Sequence, residues 1–259
     1  MDLQLAGRRA LVTGGSRGIG FAVGRALARE GAAVALVARD AAAVKERAAA
    51  LAEETGATVV GIAADTGDDT SVAAMADEAA RLLGGVDILV NNAAKASPGA
   101  FPEDELEEQI NVKVRGYLRT VRALAPAMAE RGWGRVINIA GLAARQSGSV
   151  VGSVRNVAVA AMSKNLADEL GPQGVNVTVV HPGMTRTETQ TGVIAARAAD
   201  RGVPVEQVER ELAASVSIGR IVEADEVAAV VAFLASPLSV ALNGDPVVPS
   251  GGARGAVHY

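Results

Sequence analysis

Short apolar runs and longer stretches of helical character alternate along this chain. Residues 10–13 are apolar and end in a glycine turn, which predicts a strand. Residues 19–30 read as a helix stopped by Gly31. Residues 33–38 (AVALVA) predict a second strand, flanked by the charges of Arg39 and Asp40, and residues 41–55 an Ala-rich helix. A third strand over 58–63, a helix over 70–83 and a fourth strand over 86–90 continue the pattern. Residues 105–131 read as one long helical region, 134–140 as a fifth strand, 157–170 as a helix stopped by Gly171-Pro172, and 175–180 as a sixth strand. The segment 185–217 is polar and Ala-rich and is read as a lid over a substrate pocket. A helix over 225–235 and a last strand over 245–249 complete the chain.

Continuous apolar strands imply a sheet covered on both faces. Their alternation with helices implies parallel pairing through right-handed crossovers. The expected fold is α/β: a three-layer, doubly wound parallel sheet of Rossmann type. No linker, low-complexity stretch or internal repeat divides the 259 residues, so one domain is expected over 1–259.

Composition narrows the function. Hydrophobic residues make up 49% of the chain but aromatics only 2%, and small side chains let helices lie close to a sheet. A net charge of −4 gives no electrostatic reason to bind nucleic acid. With no cysteine and only His181 and His258, disulfides, zinc–thiolate sites and histidine-rich metal sites are excluded. The opening MDLQLAGRRALVTGG has no apolar signal-peptide core, and no run approaches membrane-spanning length, so a cytoplasmic protein without membrane partners is expected.

The first turn reads Thr13-Gly14-Gly15-Ser16-Arg17-Gly18-Ile19-Gly20, between a predicted strand and helix. Glycines there let the backbone approach a pyrophosphate, and the helix N-terminus offers unpaired N–H groups. The spacing is Gly-x3-Gly-x-Gly, and the bland alternative is a turn that only packs a helix on a sheet. The end of the second strand should meet the adenosine ribose, where an acidic residue favours NAD and a basic one NADP. Arg39 stands there with Arg17 nearby, so a nicotinamide dinucleotide is expected and NADP(H) is favoured over NAD(H). Alternatively, Arg39 and Asp40 form a solvated pair.

These residues resemble the short-chain dehydrogenase/reductase family over nearly the whole chain. TGGSRGIG resembles its cofactor loop, and Asn91-Asn92-Ala93-Ala94 its Asn-Asn-Ala-Gly signature, with Ala94 departing at the last position. Asp65 sits where the family contacts adenine, and Asn111 in INVKVRG matches its helix asparagine. Pro182-Gly183 after His181 matches the Pro-Gly of the sixth strand, Thr187 the threonine that holds the carboxamide, and GRIVEADEVAAVVAFLASP its last helix. The cofactor-binding set implied by the resemblance is Gly14, Ser16, Arg17, Gly18, Ile19, Gly20, Arg39, Asp65, Thr66, Asn91, Ala93, Asn156, Pro182, Gly183, Thr185 and Thr187. The resemblance also implies a small-molecule substrate and a homo-oligomer, dimer or tetramer.

In that family a tyrosine moves the proton, a lysine four residues later lowers its pKa, and a serine holds the substrate oxygen. Aligned on Leu166-Ala167-Asp168-Glu169-Leu170, this chain places Gly141 in the serine slot, Gly152 in the tyrosine slot and Asn156 in the lysine slot. Neither Tyr117 nor Tyr259 precedes a lysine by four. The candidate catalytic residues that remain are Asn111 and Asn156; Asn156 reaches a ribose hydroxyl but supplies no charge.

Replacement candidates each have a plainer reading. Lys95 is read as a solvated loop lysine, and Arg145, Gln146, Ser147, Ser149 and Ser153 as turn residues of the loop that lines the pocket. Arg155 is read either as an electrophile or as a subunit contact, His181 as a satisfied structural histidine, and Tyr259 as a frayed terminus. Three functions follow: an NADP(H)-dependent oxidoreductase with an unusual acid, such as water relayed through Asn111; a non-redox cyclase, isomerase or dehydratase using a pocket enlarged at Gly141 and Gly152; or a catalytically silent NADP(H)-binding regulatory or partner subunit.

Overall fold

The computed structural model describes residues 1–94 and 103–254. The strands are β1 (Arg9–Thr13), β2 (Ala33–Ala38), β3 (Val59–Ala63), β4 (Ile88–Asn91), β5 (Gly134–Ile139), β6 (Val175–Val180), β7 (Thr185–Arg186), β8 (Val222–Glu223) and β9 (Pro246–Val247). Seven of them form one parallel sheet in the order β3-β2-β1-β4-β5-β6-β9, and β7 pairs separately with β8. The helices are α1 (Gly18–Arg29), α2 (Ala41–Thr55), α3 (Asp69–Leu83), α4 (Glu103–Gln109), α5 (Gly116–Glu130), α6 (Val150–Leu170), α7 (Glu188–Arg201), α8 (Val205–Ala214) and α9 (Ala224–Ala235). A π-helical segment, Ile110–Arg115, joins α4 to α5.

The period-two alternation of the strands divides their side chains between two cores. Val12, Leu36, Val90 and Ile137 pack with residues of α1, α2 and α9 on one face. Leu11, Val37, Leu89 and Val136 pack with residues of α3, α5 and α6 on the other. A fully buried Leu or Val contributes about 1.5–3 kcal/mol, so both faces are needed to hold seven short strands. Gly24 lets α1 settle onto β2, since a Cβ there would lie 2.5 Å from Leu36 Cδ2.

Three segments differ from the pattern reading. Helix α6 begins at Val150 rather than at 157, because Ser149 Oγ accepts from the Gly152 amide at 3.0 Å and starts the helix across residues that looked like a turn. The segment 185–217 contains the two helices α7 and α8 and the short strand β7. The long helix over 105–131 is interrupted by the π turn.

Strand order reverses between β1 and β4. The connections leave those two strands toward opposite faces, and a crevice opens at their carboxyl ends, where ligands bind in open α/β sheets.

Candidate active site

The crevice is a cleft of about 850 Å³. Gly14, Ser16, Arg17, Gly18 and Ile19 line it from the first turn, Arg39 from the end of β2, Asp65 and Thr66 from the end of β3, and Asn92 and Ala93 from the end of β4. Val112, Thr187 and Thr189 also line it, as does Glu46 of α2. Gly14 has φ +65°, a conformation suited to glycine. A Cβ on Gly20 would lie 2.2 Å from the Gly14 carbonyl oxygen and 2.5 Å from Asn92 Nδ2, so only glycine lets α1 start against this turn. The Gly18 amide donates to Glu188 Oε2 at 3.0 Å. A carboxylate thus stands at the amide where a phosphate oxygen would sit, and the cradle fits a diphosphate.

Three arginines line the far end of the cleft: Arg17, Arg39 and Arg47. Arg47 escaped the sequence reading because it lies on α2, where only its spacing from Arg39 hints at a shared face. Asp40, also in the lining, is committed elsewhere. Its Oδ1 accepts from the amides of Ala42 and Ala43 at 3.0 Å each and caps α2. Arg39 and Asp40 are therefore not simply a solvated pair.

The paired asparagines divide their work. Asn91 is fully buried and does not line the cleft; its Nδ2 donates to Asn138 Oδ1 at 3.0 Å and its Oδ1 accepts from Thr120 Oγ1 at 2.7 Å. Asn92 faces the cleft, and its Nδ2 donates to the carbonyls of Thr13 and Gly14 at 3.2 Å each. Successive strand residues point to opposite sides, which is why one of the pair ties the sheet together and the other ties the glycine turn to β4. Thr13 Oγ1 accepts from the amides of Asn92 and Ala93 at 3.0 and 3.1 Å.

Asn111 lies in the π segment with its side chain engaged at both ends. Its Nδ2 donates to the Gly67 carbonyl at 3.1 Å, and its Oδ1 accepts from Arg119 Nη2 at 3.0 Å. Its second N–H and the second lone pair of Oδ1 are not used by these two bonds.

The carboxyl end of β5 is arranged differently from the cofactor cradle. A Cβ on Gly141 would meet Asn156 Nδ2 at 3.0 Å, and one on Gly152 would meet Ser149 Oγ at 2.9 Å and Ala143 Cβ at 3.4 Å. The pocket expected to be enlarged at these two glycines is instead filled by the chain's own side chains. Asn156 is buried, and its Oδ1 has no hydrogen-bond partner. Pro182, Gly183 and Thr185 follow β6 beside this strand end and do not line the cleft. The Pro182 carbonyl accepts from the Leu142 amide at 3.1 Å, Gly183 packs on Ser250, and Thr185 Oγ1 donates to the Gly183 carbonyl at 3.0 Å. His181 is buried with Nδ1 at 3.0 Å from the Gly141 carbonyl oxygen. Ser149 caps α6, and Ser153 Oγ donates to the Gln146 carbonyl at 3.1 Å. Lys95, His258 and Tyr259 lie outside the described residues.

The sequence reading also passed over Lys113. It is 3% exposed, and its Nζ donates to the Ala140 carbonyl at 2.7 Å. Burial, and then the charge of Arg155, push its ammonium down to about 7. One turn on, Tyr117 is buried and donates to the Ile139 carbonyl at 3.0 Å; its burial raises the phenol's pKa. Arg155 Nη1 donates to Gln109 Oε1 from across α6, and burial lowers the pKa of its guanidinium. The detectable signal was the spacing Gln109, Lys113, Tyr117, Thr120, Leu124, which puts them all on one helical face.

A parallel sheet with a glycine-lined cleft at its switch point defines a Rossmann-type α/β protein. The family model described as enoyl-(acyl carrier protein) reductase matches residues 14–254. The chain belongs to the short-chain dehydrogenase/reductase family. It is 34% identical to a sorbitol dehydrogenase from Cereibacter sphaeroides over 91% of this chain and 93% of that one. It is 31% identical to a 3-oxoacyl-acyl-carrier-protein reductase from Aquifex aeolicus over 97% and 99%. Among solved structures, L-sorbose reductase from Gluconobacter frateurii in complex with NADPH and L-sorbose superposes with a TM-score of 0.94 at 28% identity, covering 99% of this chain and all of that one. An NAD+-bound xylitol dehydrogenase superposes with a TM-score of 0.87 at 25% identity, over 96% of this chain and 100% of that one. Among the described residues, no helix is long and apolar enough to cross a membrane and no cluster of His, Cys, Asp or Glu is placed to hold a metal.

Proposed function

We propose that this chain is an NADP(H)-dependent oxidoreductase of a small-molecule carbonyl or alcohol, working without the family's Ser/Tyr/Lys set because Gly141, Gly152 and Asn156 stand in those slots. The observation that carries the cofactor choice is the far end of the cleft. Three guanidiniums line it against two nearby carboxylates, and of these Asp40 is spent on the α2 N-terminus while Glu46 faces the cleft beside Arg47. Such a site suits a 2′-phosphate better than a bare ribose. The bound dinucleotide supplies the hydride. The protein's part is to hold the diphosphate on the amides of the first turn, with Gly14, Gly18 and Gly20 giving it room. The NADPH complex of the sorbose reductase supports this reading, and the NAD+ complex of the xylitol dehydrogenase makes the comparison of the two cofactors the test.

Titration calorimetry with NADPH and NADH decides it. Arg39→Asp is expected to weaken NADPH by about 10–100-fold, the scale of one or two lost charge-assisted bonds, and to leave NADH bound at least as well as before. Equal affinity of the native protein for both cofactors would reject the NADP(H) assignment. Turnover of a carbonyl and alcohol panel, followed by NADPH absorbance, tests the redox reading itself.

Side chains within contact distance of Gly141 and Gly152 weaken the case for an enlarged pocket and a non-redox reaction. They favour, as second reading, a catalytically silent NADP(H)-binding subunit. The solvent-exposed Val150, Val154 and Val157 on α6 support a subunit contact along that helix, and with it a homo-oligomer.

A further inference from the structure

Four polar side chains climb one face of α4, the π segment and α5 toward the carboxyl end of β5. Thr120 bonds Asn91, Tyr117 bonds the Ile139 carbonyl, and Lys113 bonds the Ala140 carbonyl. Gln109, at the top, is fully buried with its Nε2 lacking an acceptor. The ladder thus delivers a buried ammonium to the peptide immediately before Gly141. Val112, its chain neighbour, lines the cofactor cleft. Nearby, Asn156 Oδ1 is a buried acceptor without a donor.

A buried lysine with no carboxylate bonded to its Nζ is costly, and Met or Leu in its place would pack at lower cost. The π turn is what brings it there. One extra residue per turn widens the helix between Ile110 and Arg115, and such bulges recur at functional sites.

We propose that Lys113 is the acid–base residue of this enzyme, supplying from the π segment the cation and the transferable proton that Asn156 and Gly152 do not. The inference rests on the redox reading above. In reduction, the carbonyl carbon gains the hydride of the reduced dinucleotide, the C=O π pair moves to oxygen, and that oxygen takes a proton from Lys113 Nζ. The products are the alcohol, the oxidised dinucleotide and a neutral amine, which solvent reprotonates. One N–H of the ammonium is held by the Ala140 carbonyl, which orients the other two. The ionisable groups around it are Arg155 on α6, Tyr117 on α5 and His181 after β6, with Glu105 on α4 acting through Arg155. Among the described residues, Arg155 alone bears on its charge directly, and it disfavours the ammonium.

Two measurements test this. The chain has four lysines, so ¹³C-lysine labelling with Lys113→Met as the assignment control resolves the Lys113 Cε signal in the protein without cofactor. It is expected to titrate near 7. Lys113→Met replaces a buried charge by an apolar side chain of similar length and is expected to fold. It should bind NADPH within two-fold of the native protein by calorimetry. Its NADPH-dependent reduction of an aldehyde probe such as 4-nitrobenzaldehyde should fall by about 10²–10⁴-fold. The native rate should decline as pH rises through about 7, because the ammonium is the proton donor, and this inflection should vanish in the variant. A Lys113 signal that titrates near the ordinary lysine value, or a variant that keeps the native rate, overturns the assignment while leaving the redox reading intact. A native protein that binds NADPH and reduces nothing defeats both.

Discussion

The carboxyl edge of the sheet holds two sites a few strands apart, built on opposite principles. At β1 and β2 the turn stays open to a cleft. Gly14 and Gly18 line it, the Gly18 amide bonds a carboxylate from α7, and Asn92 ties the turn down from behind. At β5 and α6 the glycines are again present, but the space over them is taken by Asn156, Ser149 and Ala143. Glycine allows close packing in both places, since Asn92 lies as near to Gly14 and Gly20 as Asn156 does to Gly141. What separates them is that Gly14 and Gly18 line the open cleft while Gly141 and Gly152 do not, a property of the fold and not of the residue type.

The sharpest way to break this comparison is to fill the first site. Gly20→Val would drive a side chain into the Gly14 carbonyl, whose oxygen lies only 2.2 Å from where the new Cβ would sit. The expected cost is about 3 kcal/mol, a fall in Tm of roughly 6–12 °C, together with loss of NADPH binding by calorimetry. A Gly20→Val protein with native melting and native affinity would show that the turn does not cradle the diphosphate.

The second site predicts a smaller and more diagnostic effect. Gly141→Ala puts a methyl 3.0 Å from Asn156 Nδ2, and is expected to cost about 1–2 kcal/mol in urea unfolding. In an Asn156→Ala background the same change should cost almost nothing, giving a coupling of about 1 kcal/mol. Strictly additive costs would mean that Asn156 does not fill the Gly141 slot, and the enlarged pocket would return as an option.

The same contrast explains how far the sequence could be read. The fold was legible because strand–helix alternation and buried strands are local signals; residues 33–38, 41–55 and 175–180 coincide with β2, α2 and β6. The glycine loop was legible because its spacing lies within eight residues. The neighbourhood of β5 was not. Whether Gly152 opens a pocket depends on Ser149 turning back to cap α6, and whether Asn91 or Asn92 faces the cleft depends on where β4 ends. Lys113 was hidden for a related reason. A lysine in a helical stretch is ordinarily solvated, and only the π turn together with the sheet edge shows that this one points inward.

The smallest expected effect lies at α7, against the first site. Glu188 sits in the first turn of that helix and accepts from the Gly18 amide, so its carboxylate and a diphosphate compete for one donor. Glu188→Gln keeps the length of the side chain and removes the charge. Without the like charge beside the phosphates, NADPH affinity should tighten by about 2–5-fold, the scale of a single charge at a helix N-terminus, and the gain should shrink in high salt. The same substitution should leave NADPH-independent stability nearly unchanged, because Glu188 is exposed. If affinity instead weakened, Glu188 would be holding α7 in the position that the dinucleotide needs. The first site would then depend on a side chain as much as the second does.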